Sequence, residues 1–199
     1  GISPKALRSA LAQESYSAQD LWALRKALRI HPRAIGHRKQ LFLNFKGGTG
    51  KTSLSTSYSY RLAELGYAVL LVDLDSQGHA TKCLGYEGED FEKTLLHVLV
   101  RKAPLSEAIQ HTPLPNLDFV PSNLGMSTVD LALMPMAGRE FKLRKAVEEI
   151  EDRYDIIVFD APATVRSACN AAGAFVKRII GLPGEKVSMR SGAVFIDGI

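Results

Sequence analysis

The sequence predicts an α/β fold built on a doubly wound, mainly parallel sheet. Three apolar runs, at residues 41–45, 68–72 and 156–159, have the length and composition of buried strands. Segments with helical spacing of apolar residues separate these runs, and such alternation is typical of a parallel sheet covered on both faces. Further positions expected in the core are Leu54, Tyr58 and Leu62; Phe91, Leu95, Leu96 and Leu99; a strand at residues 117–120; and a helix at residues 141–150.

A glycine-rich loop follows the first apolar run directly and precedes a helical pattern. It reads Lys-Gly-Gly-Thr-Gly-Lys-Thr-Ser over residues 46–53. Glycines let the backbone curl around a phosphate with its N–H groups inward, and the next helix directs its positive end to the same point. This order predicts a P-loop NTPase, in which Lys51 contacts the β- and γ-phosphates and Thr52 ligates Mg²⁺. The expected nucleotide-binding residues are Gly47, Gly48, Thr49, Gly50, Lys51, Thr52 and Ser53.

The start of this loop departs from the usual P-loop pattern, G-x-x-x-x-G-K-[ST]. Phe45 stands at the first glycine position, and a second lysine, Lys46, opens the loop. Lys46 comes too early in the loop to curl onto its own phosphates. Two interpretations therefore stay open: the side chain lies in solvent, or it reaches into the site of a second subunit.

Aspartates end the other two apolar runs. Asp73 and Asp75 follow the run at residues 68–72, and Asp160 follows the run at residues 156–159. Because ligands of open α/β sheets bind at the carboxyl ends of the strands, these carboxylates should lie beside the phosphate loop. The last run looks like a Walker B strand, whose aspartate holds Mg²⁺ directly or through a water. Thr52 and Asp160 are therefore the predicted metal residues.

Together these motifs resemble the ParA-type partition ATPases, relatives of MinD. The resemblance covers about residues 40–172 and rests on the lysine-led loop, VDLDSQGHATKCLG at residues 72–85, Pro121-Ser122, and YDIIVFDAPA at residues 154–163. It implies an ATP-dependent homodimer that sandwiches two nucleotides and serves chromosome or plasmid segregation. The implied partners are nonspecific DNA and a ParB-like activator, and the implied cofactors are ATP and Mg²⁺. MinD-like membrane positioning is a weaker variant, because the amphipathic carboxyl-terminal anchor that it needs is not visible.

The resemblance also implies roles for single residues. Lys46 would cross the dimer interface to the other subunit's phosphates, and Asp75 would position or activate the attacking water. Lys51 and Thr52 match the Walker lysine and threonine, and Asp160 matches the Mg²⁺-linked aspartate, so the catalytic set is Lys46, Lys51 and Asp75. Since phosphoryl transfer mainly needs charge neutralisation and an oriented water, a lysine supplied in trans would make hydrolysis depend on dimerisation. ATP would hold the dimer, and hydrolysis would release it.

Residues 1–39 are predicted to form a basic, helical extension. Residues 17–20 resemble a capping box, and helical spacing of apolar residues continues through Ile30 until Pro32. No acidic residue occurs between Asp20 and Glu64, whereas six basic residues crowd the first half of this interval: Arg25, Lys26, Arg29, Arg33, Arg38 and Lys39. Two interpretations stay open. The stripe has a function, which is to contact nucleic-acid phosphates or to regulate the dimer. Alternatively, it is a solvated face on a helix that packs against the ATPase domain.

Composition fits a cytoplasmic protein, nucleoid-associated if it binds DNA. The 199 residues suffice for one domain with a substantial core, and a net charge of +4 does not by itself establish DNA binding. No apolar run reaches the roughly 18 residues of a membrane span, and no signal peptide opens the chain. Cys83 and Cys169 are too few for a disulfide framework, and we expect both to be reduced and buried.

The carboxyl end departs from the partition ATPase pattern, which predicts a truncated ATPase domain at residues 40–173. Residues 174–199 resemble type I signal peptidases in the segment that contains their general-base lysine, here Lys177. Residues 187–196 have the pattern of a β-hairpin that turns at Ser191-Gly192. The serine motif of that family is absent upstream, so Lys177 is more simply a surface lysine.

The change of pattern near Gly173 leaves three explanations open: a natural fusion, a frameshift or assembly error, and a deliberate chimera. Two functions other than a working partition ATPase follow from it. One is a signal peptidase-like serine protease fragment without its serine, and the other is a nucleotide-binding remnant that does not hydrolyse ATP.

Overall fold

The computed structural model describes residues 16–43, 48–162, 187–190 and 193–196. Its main feature is a five-stranded sheet with the strand order β1-β5-β2-β4-β3. The strands are β1 (Arg38–Phe42), β2 (Val69–Asp73), β3 (Gln110–His111), β4 (Leu117–Val120) and β5 (Ile156–Asp160). Strands β1, β5, β2 and β4 are parallel, and only the short β3 pairs antiparallel, with β4. This arrangement confirms the predicted α/β fold with a mainly parallel sheet.

Helices connect these strands and cover both faces of the sheet. They are α1 (Ala18–Leu28), α2 (Lys51–Glu64), α3 (His79–Cys83), α4 (Leu95–Arg101), α5 (Leu105–Ala108), α6 (Val129–Leu133) and α7 (Lys142–Glu148). Short 3₁₀ turns lie at Gly88–Asp90, Leu124–Thr128, Arg139–Phe141 and Glu151–Arg153. In the part of the chain described above, no helix combines the length and apolar character needed to cross a bilayer.

The central strands alternate their side chains between two apolar clusters, one on each face. Leu70 and Val72 of β2 belong to one cluster, whereas Val69 and Leu71 belong to the other. The first cluster also contains buried residues of α4, α5, α6 and α7, and the second contains residues of α2 and α3. Because both faces are buried, β2 and β5 carry unbroken apolar runs, and the prediction of a doubly wound sheet is confirmed.

The register of the parallel strands decides which residues meet at the carboxyl edge. Asp73, the last residue of β2, lies opposite Asp160, the last residue of β5. Phe42, the last residue of β1, is the other neighbour of Asp160. The three apolar runs therefore deliver the glycine loop and two aspartates to one edge, as predicted.

Three core predictions were wrong in detail. Leu54 is 59% exposed, because α2 turns the small residues Ser55 and Ser59 toward the sheet instead. Phe91 precedes α4 rather than beginning it, and its ring packs edge-on against Phe119 with centroids 5.7 Å apart. The helix predicted at residues 141–150 is shorter and spans α7.

The carboxyl-terminal segment contains a separate two-stranded antiparallel sheet. Strands β6 (Val187–Arg190) and β7 (Ala193–Ile196) pair so that Arg190 lies opposite Ala193. This antiparallel pairing confirms the predicted hairpin, and the turn predicted at Ser191-Gly192 lies outside the described residues. Lys177 lies outside the described residues, and the resemblance to signal peptidases stays a prediction.

Candidate functional site

The glycine loop ends in a helix whose first N–H groups have no side-chain cap. Gly48 and Gly50 have φ angles of +69° and +79°, which L side chains rarely adopt, so glycine is required at both positions. Gly50 is the N-cap of α2, without a capping side chain, and the first turn contains no acidic residue. This helix end offers N–H donors and a positive dipole end to an anion. Lys46 and Gly47 lie outside the described residues.

The hydroxyl of Thr52 meets the carboxylate of Asp160 at the carboxyl edge of the sheet. Thr52 Oγ1 donates to Asp160 Oδ2 over 2.7 Å, and Ser55 Oγ donates to Asp160 Oδ1 over 2.9 Å. Asp160 is only 1% exposed, and Ser55 is fully buried. The two predicted metal residues are thus in direct contact, although 108 residues separate them in the chain.

Asp73 and Asp75 have different surroundings although they are two residues apart. Asp73 is buried, and its carboxylate accepts from the backbone N–H groups of Asp75 and Thr81 and from the Thr81 hydroxyl. Asp75 is half-buried, and its carboxylate accepts only from the backbone N–H of Gln77 among the described hydrogen bonds. The imidazole Nδ1 of His79 lies 3.6 Å from the other carboxylate oxygen of Asp75. Asp75 is therefore held by fewer hydrogen bonds than Asp73, and its role in hydrolysis stays a prediction.

Charges at this edge of the sheet influence one another. Burial raises the pKa of Asp160, and the negative charge of Asp75 adds to this rise, whereas its hydroxyl partners and the positive charge of Lys51 lower it. Burial likewise raises the pKa of Asp73, to about 6, against the opposing effect of its three hydrogen bonds. Among the described residues, neither Asp73 nor Asp160 forms a salt bridge, so the two buried carboxylates create a negative field that favours a bound cation.

The residues present fit a magnesium ion that is shared with phosphates. Within the described ranges, no group of three or more histidine, cysteine or acidic side chains could hold a metal without help. Mg²⁺ is commonly held by one or two protein oxygens together with substrate phosphates and waters. The Thr52 hydroxyl and the Asp160 carboxylate supply two oxygens of this kind, and they meet at the first turn of α2, beside its uncapped N-terminal end.

Two residues that contact the predicted site were not predicted from sequence. The Ser55 hydroxyl donates a hydrogen bond to the Asp160 carboxylate, and the Thr81 hydroxyl donates one to the Asp73 carboxylate. For Ser55 a signal existed, because a residue three positions after Thr52 lies on the same helix face. For Thr81 the sequence offered only a position in the motif VDLDSQGHAT.

Cys83 is exposed, which corrects the prediction of a buried thiol. It is the last residue of the short helix α3, whose buried positions are Ala80 and Thr81. Cys169 lies outside the described residues.

The amino-terminal extension packs against the domain through few contacts. The predicted capping box is present: Ser17 and Asp20 exchange hydrogen bonds at the start of α1. Gln19 Nε2 donates to the carbonyl of Pro113 over 2.9 Å, and Tyr67 donates its hydroxyl to the carbonyl of Arg33. The helix has no fully buried residue and ends at Leu28, before the predicted Ile30.

The basic stripe of this extension has several local partners. Lys26 lies 4.9 Å from the ring centroid of Trp22, and Lys39 forms an ion pair with Glu151. Arg38 donates through Nε to the carbonyl of Ile35. Arg29 and Arg33 are exposed. The stripe is thus a mainly solvated face, and its contact with nucleic acid stays a prediction.

The fold and this site define a P-loop nucleotide-binding domain. A family model described as an AAA domain matches residues 38–183, well over half of the chain. The curated relatives include the cell division protein PomZ of Myxococcus xanthus, which is 72% identical over 162 residues, or 81% of this chain and 51% of PomZ. The chromosome partitioning protein ParA of Caulobacter vibrioides is 36% identical over 61% of this chain and 46% of that protein. The chain therefore belongs to the ParA/MinD-type P-loop ATPases.

A solved structure has a similar fold. Cobyrinic acid a,c-diamide synthase from Mycobacterium smegmatis, with bound ATP analogue and magnesium, is similar with a TM-score of 0.61 and 30% sequence identity. The similarity covers 65% of this chain and 51% of that chain. The chain spans about half the length of the curated relatives it matches.

Proposed function

We propose that this chain binds Mg·ATP at the carboxyl edge of its sheet and forms the phosphate-binding part of an ATP-dependent partition switch. The observation that carries the proposal is the 2.7 Å contact between the Thr52 hydroxyl and the Asp160 carboxylate. This contact joins the first turn of α2 to the end of β5, beside a helix end that lacks a side-chain cap.

Each described residue of the loop has a task in this proposal. The N–H groups that follow Gly48 and Gly50 cradle the phosphates, and Lys51 neutralises their charge. Thr52 and Asp160 hold the magnesium ion, directly or through water, and the ion when bound neutralises charge that develops on the phosphate oxygens. Ser53 completes the loop. The negative field of Asp75 and Asp160 is then balanced by the lysine and the metal.

In this proposal, Asp75 and Lys46 act in the hydrolysis of ATP. The Asp75 carboxylate accepts one described hydrogen bond, from the Gln77 N–H, and has the His79 imidazole 3.6 Å from its other oxygen, so it keeps acceptor capacity to orient a water for attack on the terminal phosphate. Lys46 reaches the phosphates of a second subunit, which makes hydrolysis depend on a homodimer. The names of the relatives PomZ and ParA, a cell division and a chromosome partitioning protein, support a role in segregation. Nonspecific DNA and a ParB-like activator are the proposed partners of the switch.

The first test is ATP affinity with and without Mg²⁺, measured on the wild type and on Lys51→Ala. Loss of a charged partner of the phosphates is expected to weaken binding by roughly 10- to 100-fold. Lys145→Ala is the matched control, since this lysine is exposed on α7 and its removal should leave the affinity unchanged. Equal affinity of wild type and Lys51→Ala would refute the proposed site.

The metal arm of the same experiment uses Asp160→Asn. The amide keeps the size of the side chain but removes the charge, so the gain in ATP affinity on adding Mg²⁺ should shrink markedly. Binding in excess EDTA should change little. If Mg²⁺ improves affinity equally in both proteins, Asp160 does not hold the metal.

Two results decide between a switch and the alternative of a nucleotide-binding remnant. ATP-dependent dimers and phosphate release support the switch. Tight ATP binding without phosphate release supports the remnant. The third alternative, a signal peptidase-like fragment, requires peptide cleavage that Lys177→Ala abolishes.

A further inference from the structure

A single buried hydroxyl joins two strand ends and a helix beside the proposed site. Thr81 Oγ1 donates to Asp73 Oδ2 over 2.8 Å, and it accepts from the backbone N–H of Ser122 over 3.2 Å. Asp73 ends β2, Thr81 lies in α3, and Ser122 follows the end of β4. Thr81 and Ser122 are fully buried, and Asp73 is 1% exposed.

The carboxylate of Asp73 also forms a hydrogen bond to the backbone of Asp75. Asp73 Oδ1 accepts from the backbone N–H of Asp75 over 3.0 Å, while its other oxygen is held by the N–H and the hydroxyl of Thr81. A second hydrogen bond closes the turn after Asp75, because the Gly78 N–H donates to the carbonyl of Asp75 over 2.9 Å. The backbone of Asp75 is therefore fixed on both of its polar groups.

Close packing leaves this network little freedom. A Cβ on Gly88 would lie 2.0 Å from the carbonyl oxygen of Ser122, and one on Gly78 would lie 3.0 Å from it. The strand exit at Ser122 is thus held between two glycines. A movement of Ser122 would have to be absorbed by Thr81 or by the Asp73 carboxylate.

We propose that Thr81 is a positioning residue for ATP hydrolysis: its hydroxyl fixes the Asp73 carboxylate, which in turn holds the backbone of Asp75 in its place beside the phosphates. This inference rests on the proposed function, because it takes Asp75 as the residue that orients the attacking water. Thr81 acts through Asp73 and Asp75 and has no contact of its own with the reacting atoms. Misplacement of a positioning group by about 1 Å is enough to slow a reaction by roughly 100-fold.

Substitution by valine and by serine separates the hydroxyl from the shape of the side chain. Thr81→Val keeps the volume and both branches but can neither donate to Asp73 nor accept from Ser122. Thr81→Ser keeps the hydroxyl and loses a methyl group. Thr112→Val is the matched control, because the Thr112 hydroxyl is also hydrogen-bonded, to the carbonyls of Leu114 and Leu117, in the turn between β3 and β4.

The experiment measures single-turnover ATP hydrolysis by the full chain at saturating Mg·ATP, with ATP affinity determined separately. We expect Thr81→Val to lower the turnover rate by roughly 10-fold or more while its ATP affinity stays within about two-fold of the wild type. Thr81→Ser should recover most of the rate, and Thr112→Val should keep the wild-type rate. A Thr81→Val rate equal to the wild-type rate would overturn the inference.

Amide hydrogen exchange keeps the inference testable if the wild type binds ATP but does not turn it over. That result would refute the hydrolytic part of the proposed function. The exchange rates of the Ser122 and Asp75 amides would then test whether Thr81 holds Asp75. Both should exchange faster in Thr81→Val than in the wild type, Thr81→Ser or Thr112→Val. Unchanged exchange of the Asp75 amide in Thr81→Val would show that Thr81 does not hold Asp75.

Discussion

Asp73 and Asp160 lie opposite each other on adjacent strands, are equally buried, and are held in different ways. The described partners of Asp160 are two hydroxyls of α2, which can rotate away and leave the carboxylate to a metal ion. Asp73 is held by two backbone N–H groups as well as by a hydroxyl, and these N–H groups cannot reorient. The comparison teaches that the hydrogen-bond donors of a buried aspartate at a strand end decide whether its carboxylate is exchangeable or fixed.

The largest loss of stability is expected at Gly88, which packs tightly against the network that holds Asp73. In Gly88→Ala the new Cβ would overlap the Ser122 carbonyl oxygen at 2.0 Å, so the exit of β4 must shift. Overpacking against backbone should lower the free energy of unfolding by about 3 kcal/mol. Chemical denaturation measures this loss.

Gly85→Ala is the control for this substitution. Gly85 has a φ of +90° with no atom within 4 Å of an added Cβ, so only backbone strain of about 1 kcal/mol is expected. Equal losses in the two variants would show that the contact between Gly88 and Ser122 does not constrain the fold.

A smaller effect is expected in the pH dependence of the free energy of unfolding, where it reports on the titration of Asp73. Burial raises the pKa of Asp73 from 3.8 to about 6 in the folded protein. Between these values the folded state binds more protons than the unfolded state, so this group destabilises the protein as pH rises. From pH 4 to pH 7 its contribution to the free energy of unfolding should fall by about 2 kcal/mol.

Asp73→Asn removes this titration and leaves the other groups in place. The stability of the wild type relative to Asp73→Asn should therefore be about 2 kcal/mol greater at pH 4 than at pH 7. Denaturant unfolding of both proteins at the two pH values measures the difference. A gap that does not change with pH would mean that Asp73 titrates normally in the folded protein.

The sequence predicted that Asp73 and Asp160 lie at strand ends on the same edge of the sheet. It could not predict which groups form hydrogen bonds to each carboxylate. Apolar runs and strand-end aspartates are local patterns, so the parallel sheet and the edge that carries Asp160 followed from them. The hydroxyl that reaches a given carboxylate depends on how closely a helix approaches the sheet. The small residues Ser55 and Ser59 face the sheet, so Leu54 is exposed and Ser55 meets Asp160.

The smallest effect concerns the second hydroxyl on Asp160 and tests whether its donors are exchangeable. Ser55→Ala removes the 2.9 Å hydrogen bond to Asp160 Oδ1 and should cost about 1 kcal/mol of unfolding free energy. Ser59→Ala is the matched control, because Ser59 is equally buried on α2 and its hydroxyl donates to the carbonyl of Ser55. Both variants should lose similar stability. Only Ser55→Ala should alter the Mg²⁺ dependence of ATP affinity, since it leaves Asp160 held by Thr52 alone among these hydroxyls. An equal Mg²⁺ response in the two variants would mean that Ser55, like Ser59, serves only the packing of α2.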